Sequence, residues 1–104
     1  MKLIEQLIKV TPDKTIKLLK LFIEKNKYCT ISELRQIDHR NLYYVKKDIK
    51  IFLDLGWIIS KEEASLIGKN KVPIFYTKYK IDNEHTAIKM LNAEINTGEE
   101  KWEI

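Results

Sequence analysis

Three consecutive segments decide the fold: TISELRQI (30–37), DHRNLYYVKKDIKIFLDL (38–55) and GWII (56–59). Thr30 and Glu33 have the spacing of a capping box, in which each side chain accepts a backbone N–H of the other residue at a helix start. The first segment is therefore predicted to be a short helix. Asp38 and His39 form the next turn, a longer helix spans about 39–55, and Gly56 ends it at the C′ position. The segment GWII then predicts entry into a β-strand.

The apolar residues of both helices recur at helical spacing, which predicts one buried face on each. In the short helix the residues expected to face inward are Ile31, Leu34 and Ile37. In the longer helix the expected buried stripe is Leu42, Val45, Ile49, Phe52 and Leu53. The opposite face of the longer helix is then left for solvent or for a partner.

Two further helices are predicted before this region. The first spans about 2–9, where the apolar residues again have helical spacing. The second runs to about Lys25, with Thr11 as its N-cap and Pro12 at the first helical position, where no backbone N–H is needed. Residues 28–30 are expected to form a very short strand.

A β-hairpin and one more helix are predicted after the GWII segment. The polar stretch 61–73 contains Gly68, a turn signal, and is expected to form the wing of the hairpin. Residues 74–81 alternate in part and form the returning strand. A last helix is expected from Asn83 to about Asn96. The predicted class is therefore mainly α with a small β-hairpin (α+β).

Composition predicts a single folded domain. The chain has 104 residues, of which 44% are apolar and 33% charged, and this length supports one modest core. The expected parts of the domain are an N-terminal helix (1–10), a core (11–81), a C-terminal helix (82–96) and an acidic tail (97–104). The chain has no apolar run near the ~20 residues that span a bilayer, no cleavable signal pattern and a single cysteine. These features predict a cytoplasmic protein without membrane association.

The net charge of +4 is unevenly distributed. Residues 1–81 carry 17 Lys and Arg against 9 Asp and Glu, a net charge of +8. Residues 82–104 carry 2 against 6, a net charge of −4. A basic body favours a polyanionic partner such as nucleic acid, although lysine-rich proteins are often simply well solvated.

The exposed face of the longer helix is the first candidate site. Its candidate residues are Arg40, Asn41, Tyr43, Tyr44, Lys46, Lys47 and Lys50. Arg and Lys pair with phosphates or guanine edges, Asn reads adenine, and Tyr hydroxyls contact phosphate. The alternative is an ordinary solvated face, since Asp48 and Asp54 dilute its positive charge. The tyrosines have a second alternative, which is burial against the hairpin or another chain.

Two weaker candidate sites flank this helix. The hairpin tip carries Lys69, Asn70 and Lys71, which suit contact with the DNA backbone or a narrow minor groove. The short helix carries Ser32 and Arg35 as phosphate candidates. A polar, solvated turn is the alternative interpretation of the tip.

The sequence lacks the patterns of catalytic and metal sites. It has no glycine-rich phosphate loop, no cysteine pair and no His-x-x-x-His spacing. His39 is expected in the turn before the longer helix, and Cys29 is expected as a buried core thiol. We therefore expect no enzymatic activity, no cofactor, no metal and no small-molecule ligand.

The order of short helix, longer helix, Leu55-Gly56-Trp57-Ile58 and hairpin resembles the winged helix-turn-helix regulators of bacteria, archaea and archaeal viruses. The resemblance covers about three-quarters of the chain and rests on the order of elements rather than on a strict motif. It implies a winged helix-turn-helix with extra N- and C-terminal helices. It also implies double-stranded DNA as the partner, with the longer helix in the major groove and the wing on the flanking backbone, and a role in transcription regulation.

Several alternatives stay open at this point. The apolar stripes of the terminal helices suggest a homodimer, while packing within one chain explains them equally well. A winged-helix protein–protein adaptor would use Tyr43, Tyr44, Ile51 and Trp102 as an apolar surface. A plasmid or viral replication protein would use the same DNA-binding surface as a regulator. The acidic tail either screens the basic face or only aids solubility.

Overall fold

A computed structural model describes residues 3–96, apart from the side chain of Ile67, and this range contains five helices and one two-stranded antiparallel sheet. The elements are α1 (Leu3–Val10), α2 (Asp13–Lys25), α3 (Ile31–Asp38), α4 (Leu42–Leu55), β1 (Ile58–Ile67), β2 (Val72–Ile81) and α5 (Thr86–Asn96). The expected class, mainly α with a small β-hairpin, is confirmed. The acidic tail and Trp102 lie outside the described residues.

The local signals at the ends of α3 and α4 act as the sequence predicts, with one exception. Thr30 Oγ1 accepts the Glu33 N–H at 3.1 Å, and Glu33 Oε1 accepts the Thr30 N–H at 3.3 Å, which completes the capping box. Gly56 ends α4 in the left-handed region at φ 75°. The expected start of the longer helix at His39 is wrong. His39 itself is left-handed, at φ 55°, and ends α3, so the helical backbone resumes only after Asn41.

The N-cap expected for α2 is also different. Thr11 still donates its N–H to Leu7 O at 3.0 Å and so belongs to the end of α1. Pro12 occupies the N-cap position, with φ −55° and ψ 141° and without a side-chain cap. Its carbonyl accepts the N–H groups of Thr15 and Ile16, and Asp13 in the first turn complements the helix dipole.

One cluster of buried residues joins all five helices and the base of the hairpin, and two of its members are Phe22 and Phe52. The Phe52 ring meets Phe22 edge-on, with centroids 6.2 Å apart, and stacks on Trp57 at 6.1 Å. Trp57 therefore packs against the edge of the core, between the end of α4 and the start of β1.

The buried stripe of α4 is narrower than expected and is rotated to one side. Val45, Ile49 and Phe52 are buried as predicted, but Leu42 and Leu53 are 38% and 37% exposed. The buried side of α4 instead includes Asp48, which is only 6% exposed and forms an ion pair with Arg40. In α3, Leu34 is buried, Ile31 is half-buried and Ile37 is 50% exposed, so the inward orientation expected for Ile37 is wrong. Leu34 is the buried residue of this two-turn helix, and Ile31 packs beside it against the core.

The hairpin is longer and more regular than the predicted wing over 61–73. The strands pair from Ile58 with Ile81 out to Ile67 with Val72, so only residues 68–71 form the turn. Lys71 N donates to Gly68 O at 3.2 Å, and both residues have positive φ. Exposure along β2 rises from its end at Ile81 toward the tip, so the outer half of the hairpin stands away from the helices. The strand expected at 28–30 is reduced to one bridge between Cys29 and Tyr79.

The terminal helices pack against each other within one chain. Their stripe residues Ile4, Leu7, Ile88 and Leu91 are all buried, and the Ile4 N–H donates to Glu94 Oε1 at 3.4 Å. The stripes that suggested a homodimer are therefore already covered, and the intramolecular alternative explains them. Among the described residues, no helix is both long and apolar enough to cross a membrane.

Candidate nucleic-acid interface

Arg40 lies before α4 rather than on its outer face, and its guanidinium points into the protein. Arg40 Nη1 lies 2.8 Å from Asp48 Oδ2 and 3.8 Å from Asp38 Oδ2, and it donates to the carbonyl of Lys14 at 3.1 Å. The hydroxyl of Thr15 donates to the same Asp48 oxygen at 3.1 Å. The side chains of Arg40 and Asp48 are only 11% and 8% exposed, so this arginine is occupied by internal contacts.

This polar network ties α2, the α3–α4 turn and α4 together at one point. Arg35 Nε adds a hydrogen bond to the Arg40 carbonyl at 3.0 Å, which holds the turn from the side of α3. Because Asp48 is buried and paired, it does not dilute the positive charge at the surface as the sequence suggested. Asp54 remains exposed and pairs with Lys50 at 3.4 Å.

The exposed side of α4 carries five of the predicted residues, Tyr43, Tyr44, Lys46, Lys47 and Lys50. We call Tyr43 and the three lysines the outer face. Tyr43 is 66% exposed and meets the ring of Tyr44 edge-on, with centroids 5.2 Å apart. Neither tyrosine is buried against the hairpin, so that part of the alternative is wrong. The outer face thus presents three lysines and one phenol, and one of these lysines, Lys50, is paired with the exposed Asp54.

Asn41, predicted as a base-reading residue, has a local structural role. Its Oδ1 accepts the backbone N–H of Tyr43 at 2.8 Å and caps α4. A bidentate contact with adenine requires both the carbonyl and the amide group of an Asn side chain. The carbonyl of Asn41 is already used, so such a contact would break the cap.

An open groove of about 880 Å³ separates α4 from the junction of α1 and α2. Its α4 side includes Tyr44, Lys47 and Ile51, and its other side includes Lys14 and Lys17. Neither of these two lysines was predicted as a site residue from the sequence. Their only signal was a place on the polar side of α2, which does not reveal that this side faces α4.

The remaining candidates lie in two other places. Lys69, Asn70 and Lys71 are exposed at the hairpin tip, and the structure does not bring them into the groove. Ser32 and Arg35 line a shallow depression on α3 next to the α3–α4 turn. The predicted residues thus form three separate groups: α4 with its groove, the tip, and α3.

A carboxylate on the hairpin has a strongly altered pKa. Hydrogen bonds from Lys61, at 2.9 Å, and Lys78, at 3.1 Å, lower the pKa of Glu63 from 4.5 to about 2. The same contact with Glu63 raises the pKa of Lys78. The hydroxyl of Tyr76 adds a hydrogen bond to Glu63 at 3.4 Å. This cluster links both strands where the hairpin leaves the body.

Replacing Glu63 by glutamine should remove a pH-dependent part of the stability. The pKa of Glu63 is lower in the folded chain, so its contribution is complete above about pH 4.5 and is lost as pH falls toward 2. We expect the native chain to melt at a higher temperature than Glu63→Gln at pH 7, and the difference to shrink by pH 3. Circular dichroism melts at both pH values measure this. Glu24→Gln, which removes an exposed carboxylate on α2 that also lies near a lysine, Lys20, at 3.9 Å, is the control; an equal effect there would contradict the prediction.

The other chemistry-bearing side chains have structural surroundings. Cys29 is 3% exposed as predicted, and burial raises the pKa of its thiol, so it is a poor nucleophile. His85 Nδ1 accepts the Ala87 N–H at 3.1 Å at the start of α5. Within residues 3–96, no three His, Cys, Asp or Glu side chains are grouped so as to hold a metal ion.

Comparison with known proteins assigns no family to the chain. No protein-family model matches it, and no curated protein matches it.

Proposed function

We propose that the chain is a winged-helix DNA-binding protein that regulates transcription. The observation that carries this proposal is the outer face of α4, with Tyr43, Lys46, Lys47 and Lys50 exposed on a helix whose Asp48 is buried and neutralised by Arg40. An α-helix fits the major groove of B-DNA, and lysines at its surface pair with phosphates and guanine edges. The element order α2, α3, α4, β1, β2 agrees with the order of helix, short helix, recognition helix and hairpin in winged-helix proteins.

The groove beside α4 supports the same proposal. When a helix enters the major groove, the sugar–phosphate backbone passes along its flank. In this chain, the flank of α4 is the protein groove between α4 and the α1–α2 junction, where Lys14 and Lys17 lie on the opposite side from Lys47. These cations would hold one strand of phosphates and fix the register of the helix on the duplex. Lys69 and Lys71 at the hairpin tip would reach a more distant part of the backbone.

Arg40 has a supporting role in this proposal. Its internal contacts set the position of the α3–α4 turn and of α4 relative to α2. Asn41 likewise caps the helix. We therefore assign DNA contact to the lysines and tyrosines of α4 and not to these two residues.

A protein–protein adaptor is the second candidate function. It is favoured by the exposure of Tyr43, Tyr44 and Ile51 along one side of α4, at 66%, 54% and 42%. An adaptor surface of this kind would bind through apolar contact and would respond little to salt. Salt dependence therefore separates the two functions.

The test is the fluorescence anisotropy of a labelled random-sequence duplex, titrated with the native chain at several salt concentrations. We expect log affinity to fall linearly with log salt concentration, with a slope of about −0.9 for each phosphate neutralised. Contacts from α4 and the groove together predict a slope steeper than about −3. No binding at low salt would reject the proposal and would favour the adaptor function.

A further inference from the structure

The outer half of the hairpin carries an apolar surface that no other part of the described chain covers. Cross-strand partners in an antiparallel pair point to the same side of the sheet. Ile58 and Ile81 are such partners and are 2% and 1% exposed, so their face is the one that packs on the helices. The alternation of side chains places the pairs Ala64–Phe75 and Leu66–Pro73 on that same face.

In the outer half of the hairpin, this face is no longer packed against the helices. Leu66 is 63% exposed and Phe75 is 69% exposed, and Ala64 and Pro73 are exposed as well. We call these four residues the hairpin patch. The reverse face adds Val72 and Ile74, which are 55% and 44% exposed. A two-stranded hairpin alone in water is marginally stable, and contiguous exposed apolar surface marks an interaction site.

We propose that the hairpin patch binds the same patch of a second copy of this chain, with the two hairpins antiparallel. The charge pattern along the hairpin favours a second copy of this chain as the partner, and it favours an antiparallel orientation of the two hairpins. Segments 64–67 and 72–75 contain no charged residue, so two copies meet there without repulsion. Lys69 and Lys71 lie at the tip, on one side of the hairpin patch. Glu62 lies on the other side, nearer the helices, and is on the same face of the hairpin as Ala64.

An antiparallel arrangement places the tip of each hairpin beside Glu62 of the other. Two sets of opposite charges then flank a shared apolar centre, one at each end. A parallel arrangement would place lysines beside lysines and Glu62 beside Glu62, which is unfavourable. Glu62 is exposed and has no hydrogen bond or ion pair within residues 3–96, whereas Glu63 on the reverse face is held by Lys61 and Lys78.

The area of the hairpin patch sets the expected affinity of the dimer. The outer six residues of each strand extend about 20 Å, and one face of such a ribbon is smaller than the ~800 Å² per partner of a standard interface. We therefore expect a weak dimer with a dissociation constant of about 10 to 100 µM. This dimer does not use the terminal helices, whose stripes cover each other. The dimer engages Lys69 and Lys71, which the proposed function also assigns to DNA, so it is tested in the absence of DNA. The result of that test does not depend on the proposed function.

The first experiment is sedimentation equilibrium of the native chain from about 5 to about 500 µM, a range that brackets the expected constant. A concentration-dependent monomer–dimer equilibrium is expected. Phe75→Lys should weaken it at least tenfold, as expected for a central aromatic contact. Met90→Lys is the matched control, because Met90 is also apolar and 52% exposed but lies on α5. Circular dichroism melts establish that both variants are folded. A native chain that stays monomeric, or equal effects of the two variants, would overturn the proposal.

A charge-reversal experiment tests the direction of the hairpins. Glu62→Lys alone and Lys69→Glu/Lys71→Glu alone should each dimerise more weakly than the native chain, because each places like charges together at both ends. A mixture of the two variants should dimerise again, since every facing pair is then opposite in sign. A parallel arrangement predicts that each variant alone dimerises as the native chain does. That result, or a mixture no stronger than its components, would refute the antiparallel dimer.

Discussion

Replacing Asp48 by alanine is expected to lower the free energy of unfolding by about 3 kcal/mol, because it leaves a largely buried arginine without its nearest carboxylate. Asp48 is 6% exposed and accepts from Arg40 at 2.8 Å and from Thr15 at 3.1 Å. After the substitution the guanidinium retains the carbonyl of Lys14 and the more distant Asp38. Chemical denaturation followed by circular dichroism measures the change.

Asp54→Ala provides the matched control on the same helix. Asp54 also pairs with a cation, Lys50, but the two side chains are 67% and 77% exposed. An exposed pair at this helical spacing contributes about 0.5 kcal/mol or less. A double substitution, Arg40→Met with Asp48→Leu, should recover much of the stability, since removing both charges leaves no unpaired ion. Equal losses from Asp48→Ala and Asp54→Ala would show that the network does not hold α4.

Removing three lysines from the outer face of α4 is expected to weaken DNA binding about a hundredfold at 0.15 M salt. The variant is Lys46→Ala/Lys47→Ala/Lys50→Ala, and all three side chains are exposed. If each lysine neutralises one phosphate, the salt slope becomes shallower by about 2.7. Anisotropy titrations at several salt concentrations give both the affinity and the slope.

A second triple variant separates local contact from total charge. Lys9→Ala/Lys25→Ala/Lys89→Ala removes the same charge from exposed positions that do not line the groove or belong to α4. It should reduce the affinity only slightly, through the long-range field, and leave the slope nearly unchanged. If both triple variants lose the same affinity and the same slope, DNA binding is a property of the net charge and the outer face has no special part.

These two predictions are linked through the position of α4. The outer face is useful only if the helix is held at a fixed angle to the groove lysines on α2. Thr15 and the carbonyl of Lys14 connect α2 to Asp48 and Arg40, so the internal network and the proposed interface share one segment of α2. Asp48→Ala is therefore also expected to weaken DNA binding, although every outer-face lysine remains in place.

Features that depend only on neighbouring residues could be predicted from the sequence. The capping box of Thr30 and Glu33, the left-handed end at Gly56 and the buried stripe through Val45, Ile49 and Phe52 are encoded within one or two helical turns. Such signals act over three or four residues, so the number, order and type of the elements were predictable. The hairpin was predictable as well, although its regular strands extend further than the polar wing that was expected.

Which polar residues are available at the surface depends on how the elements pack, and it could not be predicted from the sequence. Arg40 and Asp48 appeared equally exposed in the sequence, but their partners Lys14 and Thr15 lie 26 and 33 residues away along the chain. Pairing over such separations depends on how α2 and α4 pack, and no local pattern encodes it. The same is true of the groove lysines, of the covered stripes of α1 and α5, and of the uncovered hairpin patch. In each case, exposure depends on what the rest of the fold places against a side chain.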